Sequence, residues 1–173
     1  VLPAFTGLGR GQSMRSASAQ LRSTLALARQ WAVTKNENTY VIFPDQLITY
    51  NPPGQVRMAL RSYGVWGDRS GYISEWRFLP QGVYFNPTNL SANNVFDTAS
   101  KTTHRVAFPA NGSAAQDMFC VAYTPNGRLK DIQDGSSRSI YLNEGILDVD
   151  TNSGVLRTAS LRSTNFTLRF EVR

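Results

Sequence analysis

Cysteine and histidine are almost missing from this sequence, with Cys120 and His104 the single examples of each. One cysteine excludes an internal disulfide and any multi-cysteine zinc site. One histidine means that any Ser-His-Asp or Cys-His relay would have to run through His104. Cys120 lies in the apolar run DMFCVAY, where a thiol is expected to be buried and inert. His104 sits in KTTHRVAF, which reads as the start of a strand and favours a structural or surface role. Acidic residues are few, 12 against 18 basic ones for a net charge of +6, and no pair of carboxylates marks itself out for acid–base work. Glycines offer no phosphate loop, because GLGRG (Gly7 to Gly11) lacks a preceding strand and a Lys-Ser/Thr pair. No apolar run approaches the ~20 residues that span a bilayer; Val1 to Phe5 is far too short. Nothing in the chain marks an enzyme, and no cofactor is expected.

What is present suits one globular domain. The 173 residues, 41% of them hydrophobic, are enough for one well-buried core and short for two. A mean hydropathy of −0.30 fits an ordinary soluble protein. The basic balance permits attraction to nucleic acid, anionic lipid or acidic protein without choosing among them. No linker or repeat divides the sequence, so residues 1–173 read as a single domain, with a remnant and helix over 1–34 and a β-rich part over 35–173.

Gln12 to Thr34 is the organising stretch. Met14, Ala17, Leu21, Leu25, Ala28 and Ala32 step by three and four, which stacks them on one helical face. Arg15, Arg22 and Arg29 recur every seven residues as a charged stripe beside it. Ala, Leu, Gln and Arg dominate without Pro or Gly, so propensity agrees with pattern. Behind the helix nearly everything reads as strand and turn. TYVIF (Thr39 to Phe43), QLITY, Val56 to Trp66, Tyr72 to Leu79 and Val83 to Phe85 are expected strands. Thr88 to Thr103 has no period and reads as a long loop of functional or mobile character. Arg105 to Phe108, Met118 to Thr124, Arg128 to Ile132, Arg138 to Val149, Val155 to Leu161 and Asn165 to Val172 complete the strands. Pro125-Asn126-Gly127 is a hairpin turn. The fold class is α+β, with one amphipathic helix packed on antiparallel sheet.

SAQLRSTLALARQWAVTKNENTYVIF, with its small residues, Leu and Arg and a direct exit into a first strand, is similar to the helix of type IV pilin-like proteins. FLPQGVYF (Phe78 to Phe85), YTPNGRL (Tyr123 to Leu129) and VDTNSGVLR (Val149 to Arg157) resemble hairpin elements of the H-type minor pseudopilins of type II secretion and related minor pilins. Val1-Leu2-Pro3-Ala4-Phe5 looks like the end of that family's apolar anchor. The prepilin cleavage motif is absent, and the chain opens without Met, as a product trimmed of its anchor would. The resemblance implies a structural subunit of a pseudopilus or pilus, with other pilin-like subunits as partners. It further implies attachment to the bacterial inner membrane and a periplasmic globular domain. An alternative is a tip subunit that takes DNA or a secreted substrate through a basic face.

Two sets of side chains merit weighing as sites. Asp148, Asp150 and Asn152 alternate before Gly154 like oxygen ligands of a calcium loop. An EF-hand would require Gly at Ser153 and Glu at Ala159, so a plain hairpin turn is the favoured reading. Arg157, Arg162, Arg169 and Arg173 crowd the C-terminal strands and are candidate phosphate contacts for DNA. No aromatic residues interleave them as a stacking platform requires, so a solvated strand face is favoured and nucleic acid is not the preferred partner.

Overall fold

The computed structural model describes residues 8–87, 93–97, 102–130, 137–150, 152, 155–157 and 167–172. A 28-residue helix, α1 (Leu8–Lys35), is followed by β1 (Thr39–Phe43), a 3-10 helix (Pro53–Met58), β2 (Ser62–Gly67), β3 (Gly71–Tyr72), β4 (Arg77–Phe78) and β5 (Val83–Phe85). Then come β6 (Thr103–Ala107), β7 (Ala115–Tyr123), β8 (Arg138–Glu144), β9 (Asp148–Asp150), β10 (Val155–Arg157) and β11 (Thr167–Val172). The large sheet has the order β3-β2-β1-β7-β6, with β4 also on β2, and every pairing is antiparallel. A three-stranded sheet runs β11-β8-β5, and β9 with β10 forms a separate hairpin.

Helix α1 lies against β1, β2 and β7 of the large sheet and β5 and β8 of the smaller one, so one apolar stripe closes both. Met14, Ala17, Leu21, Leu25, Ala28 and Ala32 are all buried in one cluster with Val41, Phe43, Tyr63, Val65, Phe119 and Val121. Ala17, Ala28 and Ala32 are fully inaccessible; at these points the small side chain lets the sheets approach the helix backbone. Strand alternation sends the intervening residues the other way. Tyr40, Ile42, Met118, Cys120 and Ala122 form a second cluster with Ile48, Tyr50, Val56, Met58, Val106 and Phe108. Buried on both faces, β1 carries no polar alternation, as TYVIF shows.

The large sheet curls until its opposite margins touch. The Tyr72 hydroxyl on β3 donates to the Ala107 carbonyl on β6 at 2.6 Å, and the Trp76 indole donates to the Pro109 carbonyl at 2.7 Å. Gly64 makes room for this closure, since a Cβ there would stand 3.2 Å from the Trp76 ring. Leu60, in the left-handed region at φ +55, stitches the two sheets. Its amide donates to Pro44 and its carbonyl accepts from Phe85, both at 2.8 Å.

Several expected strands take other forms. QLITY is bends, and Val56 begins in the 3-10 helix, because Pro52 and Pro53 break the ladder and the segment serves as a cover whose apolar groups need only point inward. Tyr72 to Leu79 is split into β3 and β4 by the crossing that carries Trp76 to Pro109. Arg128 to Ile132 contributes a single bridge, Tyr123 with Leu129, around the Pro125-Asn126-Gly127 turn, and 131–132 lie outside the described residues. Arg138 to Val149 is two strands, β8 and β9, parted at Gly145. Within the expected loop Thr88 to Thr103, residues 93–97 are a core element. Val95 and Phe96 are buried, and Phe96 meets Phe43, Phe85 and Phe119 ring to ring.

Candidate functional site

The outward side of α1 is the most distinctive described surface. Arg15, Arg22 and Arg29 are exposed, as are Ser16, Ala19, Ser23, Ala26, Gln30 and Val33. Seven residues rise about 10.5 Å and return to nearly the same azimuth, so the three arginines recur along one flank of the helix, where the Arg29 side chain lies against Gly127. No Asp or Glu occurs anywhere in Leu8–Lys35, and the first acidic residue of the chain is Glu37. The five basic residues of α1 therefore carry most of the net charge of +6; in the rest of the chain, basic residues and all 12 acidic ones nearly cancel.

The C-terminal end of this helix is locked to the β2–β3 turn. Asn36 adopts φ +52, and the Glu37 amide returns to the Ala32 carbonyl at 3.2 Å, a Schellman termination. The Arg69 guanidinium then donates to the carbonyls of Lys35 (2.8 Å) and Asn36 (2.7 Å), satisfying groups the helix leaves open. The Glu37 carboxylate accepts from the Trp31 indole at 2.9 Å, the Arg69 amide at 2.7 Å, the Ser70 amide at 3.1 Å and the Ser70 hydroxyl. Burial pushes the Glu37 pKa up, but these donors outweigh it and hold the group at about 2. Gly67 permits the arrangement, because a Cβ there would stand 3.0 Å from the carboxylate.

A polar group sits on the neighbouring strands. The His104 ring stacks on Tyr40 with centroids 3.8 Å apart, and its Nε2 lies 3.5 Å from Asp68. Asp68 also accepts from Asn38 at 2.8 Å and Tyr40 at 3.3 Å, while Lys130 donates to the Tyr40 hydroxyl at 3.3 Å. Burial lowers the His104 pKa from its ordinary value, against the opposing pull of Asp68. Cys120 is fully buried, with its thiol 3.5 Å from the Thr102 carbonyl. Among the described residues no three His, Cys, Asp or Glu gather as a metal-binding group.

The remaining candidates are dispersed. Asp148 and Asp150 lie on β9, with Asp148 opposite Arg157 and Asp150 opposite Val155, and Asn152 is exposed in the turn between β9 and β10. Arg157 is on β10, whereas Arg169 is on β11, opposite Tyr141 in the three-stranded sheet. Arg162 and Arg173 lie outside the described residues. The structure thus places the helix residues in one row and, of the C-terminal arginines, Arg157 and Arg169 on separate sheets. Sequence reasoning missed the Glu37 lock. Its only local trace is Asn36 after the last helical turn, since the partners at 67–70 come from a distant hairpin.

A family model described as type II transport protein GspH matches residues 17–170. No curated protein and no solved structure matches the chain.

Proposed function

The chain belongs to the type II transport protein GspH family, and from that premise we propose that it is a structural minor subunit of a type II secretion pseudopilus or type IV pilus. In this role it supports filament assembly and protein secretion. The observation that carries the reading is the division of labour on α1. Its apolar stripe is consumed by the two sheets, while Arg15, Arg22, Arg29 and the small and polar residues between them on the other side are exposed. Such a subunit works by packing, with no catalytic step. No helix among the described residues is long and apolar enough to cross a membrane; attachment to the inner membrane is assigned to an apolar segment ahead of α1, with the β-rich part in the periplasm. Residues 1–173 act as a single pilin-like domain.

Deletion of the gene from its own host tests this. The expected outcome is loss of secretion of type II substrates or loss of surface filaments, restored by the wild-type gene. Unchanged secretion and filaments, together with salt-dependent retention of the protein on DNA, would favour the tip-binding alternative.

A further inference from the structure

We propose that Arg57, Arg61 and Phe78 form a docking point for an acidic peptide segment, with a carboxylate held between the two arginines and an apolar neighbour set on the Phe78 ring.

Backbone pairing gathers these residues from two separate stretches. Phe78 on β4 stands opposite Ser62 on β2, and the Leu79 amide donates to the Arg61 carbonyl at 2.8 Å. The Ser62 hydroxyl in turn donates to the Met58 carbonyl at 2.8 Å, next to Arg57 in the last turn of the 3-10 helix. Phe78 is 53% exposed, and Arg57 is exposed near the half-buried Arg61. Neither arginine is ion-paired with any described residue, and the Arg61 Nε is buried without an acceptor. Burial lowers the Arg61 pKa, and the charge of Arg57 pushes it the same way with no carboxylate opposing them. A half-buried cation beside a like charge is costly, and a carboxylate offsets both charges at once because its two oxygens match the guanidinium fork.

The acidic residues nearby decide the kind of partner. Glu75, three residues ahead of Phe78, is exposed, as is Asp148 on β9, which packs against the 3-10 helix. An anionic membrane plane would meet these carboxylates along with the arginines, and the repulsion would cancel much of the attraction. One acidic side chain can reach the arginines alone. A free phosphate would leave the exposed Phe78 ring without a use, whereas a peptide supplies an apolar group beside its acid. The site draws on no residue of α1 and does not depend on the filament reading.

The purified chain, residues 1–173, is titrated against a short fluorescent peptide alternating Glu and Leu, and anisotropy reads the binding. Peptides alternating Gln with Leu and Lys with Leu serve as references. The Glu–Leu peptide is expected to bind about tenfold tighter than the Gln–Leu one, with an advantage that shrinks as salt is raised. Arg57→Gln combined with Arg61→Gln should weaken it about tenfold, and Phe78→Ser about threefold. Removing two positive charges elsewhere, Arg15→Gln with Lys35→Gln, should weaken it by less than about twofold. The Arg57/Arg61 double variant should melt no lower than wild type; should it fail to fold, Arg57→Gln alone replaces it, with a loss of about threefold expected. Equal binding of the Glu–Leu and Gln–Leu peptides, or equal losses in the two double variants, would overturn the inference. So would inorganic phosphate raising the melting temperature through the same arginines with no preference among the peptides. Retention on phosphatidylglycerol vesicles that the Arg57/Arg61 variant loses, without peptide binding, would assign the site to a lipid surface and overturn it as well. Self-association abolished by Phe78→Ser would make a second copy the occupant, with the same consequence. None of these results bears on secretion or surface filaments, so the filament reading stands or falls by its own test.

Discussion

The six-stranded sheet meets α1 on one face and an irregular aromatic cover on the other, and the two faces are held by different means. Against the helix, contact is almost wholly apolar and depends on shape, with Leu21, Leu25 and three inaccessible alanines set into Phe43, Tyr63, Val65 and Phe119. On the far face, aromatic rings carry polar tips that tie loops to backbone. Tyr50 donates to the Asp45 carbonyl, Tyr72 to Ala107 and Trp76 to Pro109. Rings meet edge-on there, as Trp66 with Tyr72 and Trp76 with Phe108. A regular element can close a sheet by complementary relief alone. A cover without regular structure must satisfy its own backbone and so relies on directed bonds.

The sharpest break in this comparison is on the helix side. Leu25→Asp would place an unpaired charge at the seam of both sheets, and the variant is expected not to fold, seen as loss of the cooperative melting transition. Leu21→Ala leaves a cavity and should cost about 2–5 kcal/mol in denaturant unfolding. By contrast Arg22→Ala, on the outward side, should change stability by under about 0.5 kcal/mol. A Leu25→Asp protein melting like wild type would show that the helix does not close this core.

That difference between faces also explains what could be read from residues alone. The helix was legible because its stripe repeats at 3.6 residues over many turns, β1 and β7 from Met118 onward because apolar and β-branched residues run without a breaker, and β11 because Leu168, Phe170 and Val172 alternate with Arg169 and Glu171. The sites were less so. Ile48, Tyr50, Val56 and Met58 look like strand residues, yet they are a cover placed by Pro52, Pro53 and distant partners. Phe96 lies in a run of Asn, Ser and Thr with no period, and only the meeting of Phe43, Phe85 and Phe119 gives it a place. The Glu37 lock needs Trp31, Arg69 and Ser70, which no local pattern connects.

On the aromatic face the expected effects are smaller. Trp76→Ala would remove the ring that fills the space above Gly64 and the bond to Pro109, and should cost about 2–3 kcal/mol, since this side chain is only half-buried. Tyr50→Phe keeps the ring and loses one hydrogen bond, an expected cost of about 1 kcal/mol. Should Trp76→Ala exceed Leu21→Ala, the ranking of the two faces would be reversed.

Glu37 joins the faces at the end of α1 and adds a pH dependence. Its folded pKa of about 2 lies below the ordinary 4.5, so between those values the unfolded chain binds the extra proton. The contribution is complete above about pH 4.5 and is lost as pH falls toward 2. Glu37→Gln should lower the melting temperature by about 5 °C at pH 7, with the gap from wild type closing over that window. Asp45 works in the opposite sense, because burial raises its pKa; the difference between the two proteins, and not the wild-type curve, is the quantity to follow. A gap constant from pH 7 to pH 2 would mean that the carboxylate charge contributes nothing.

The smallest expected effect lies at the β9–β10 hairpin. A calcium loop needs several oxygen ligands converging on one point, with charge left over to offset the dehydration of the ion. Here the antiparallel register sets Asp148 directly opposite Arg157 and Asp150 opposite the apolar Val155. A cation at Asp148 would stand beside a cross-strand basic residue, which costs where a ligand site should gain. Asn152 is exposed in the connecting turn, a position that suits turn chemistry without any ion. Millimolar calcium should therefore leave the melting temperature unmoved, because an ion that binds the folded state no better than the unfolded one adds no stability. The measurement is a melting curve with calcium against one with chelator, repeated for Asp150→Ala and Arg157→Ala. A rise with calcium that Asp150→Ala abolishes would establish a site despite the opposing arginine, and Arg157→Ala should then enlarge it. With no shift in any of the three proteins, the alternating acids are the flanks of a hairpin, and their spacing follows from the two-residue period of the strand.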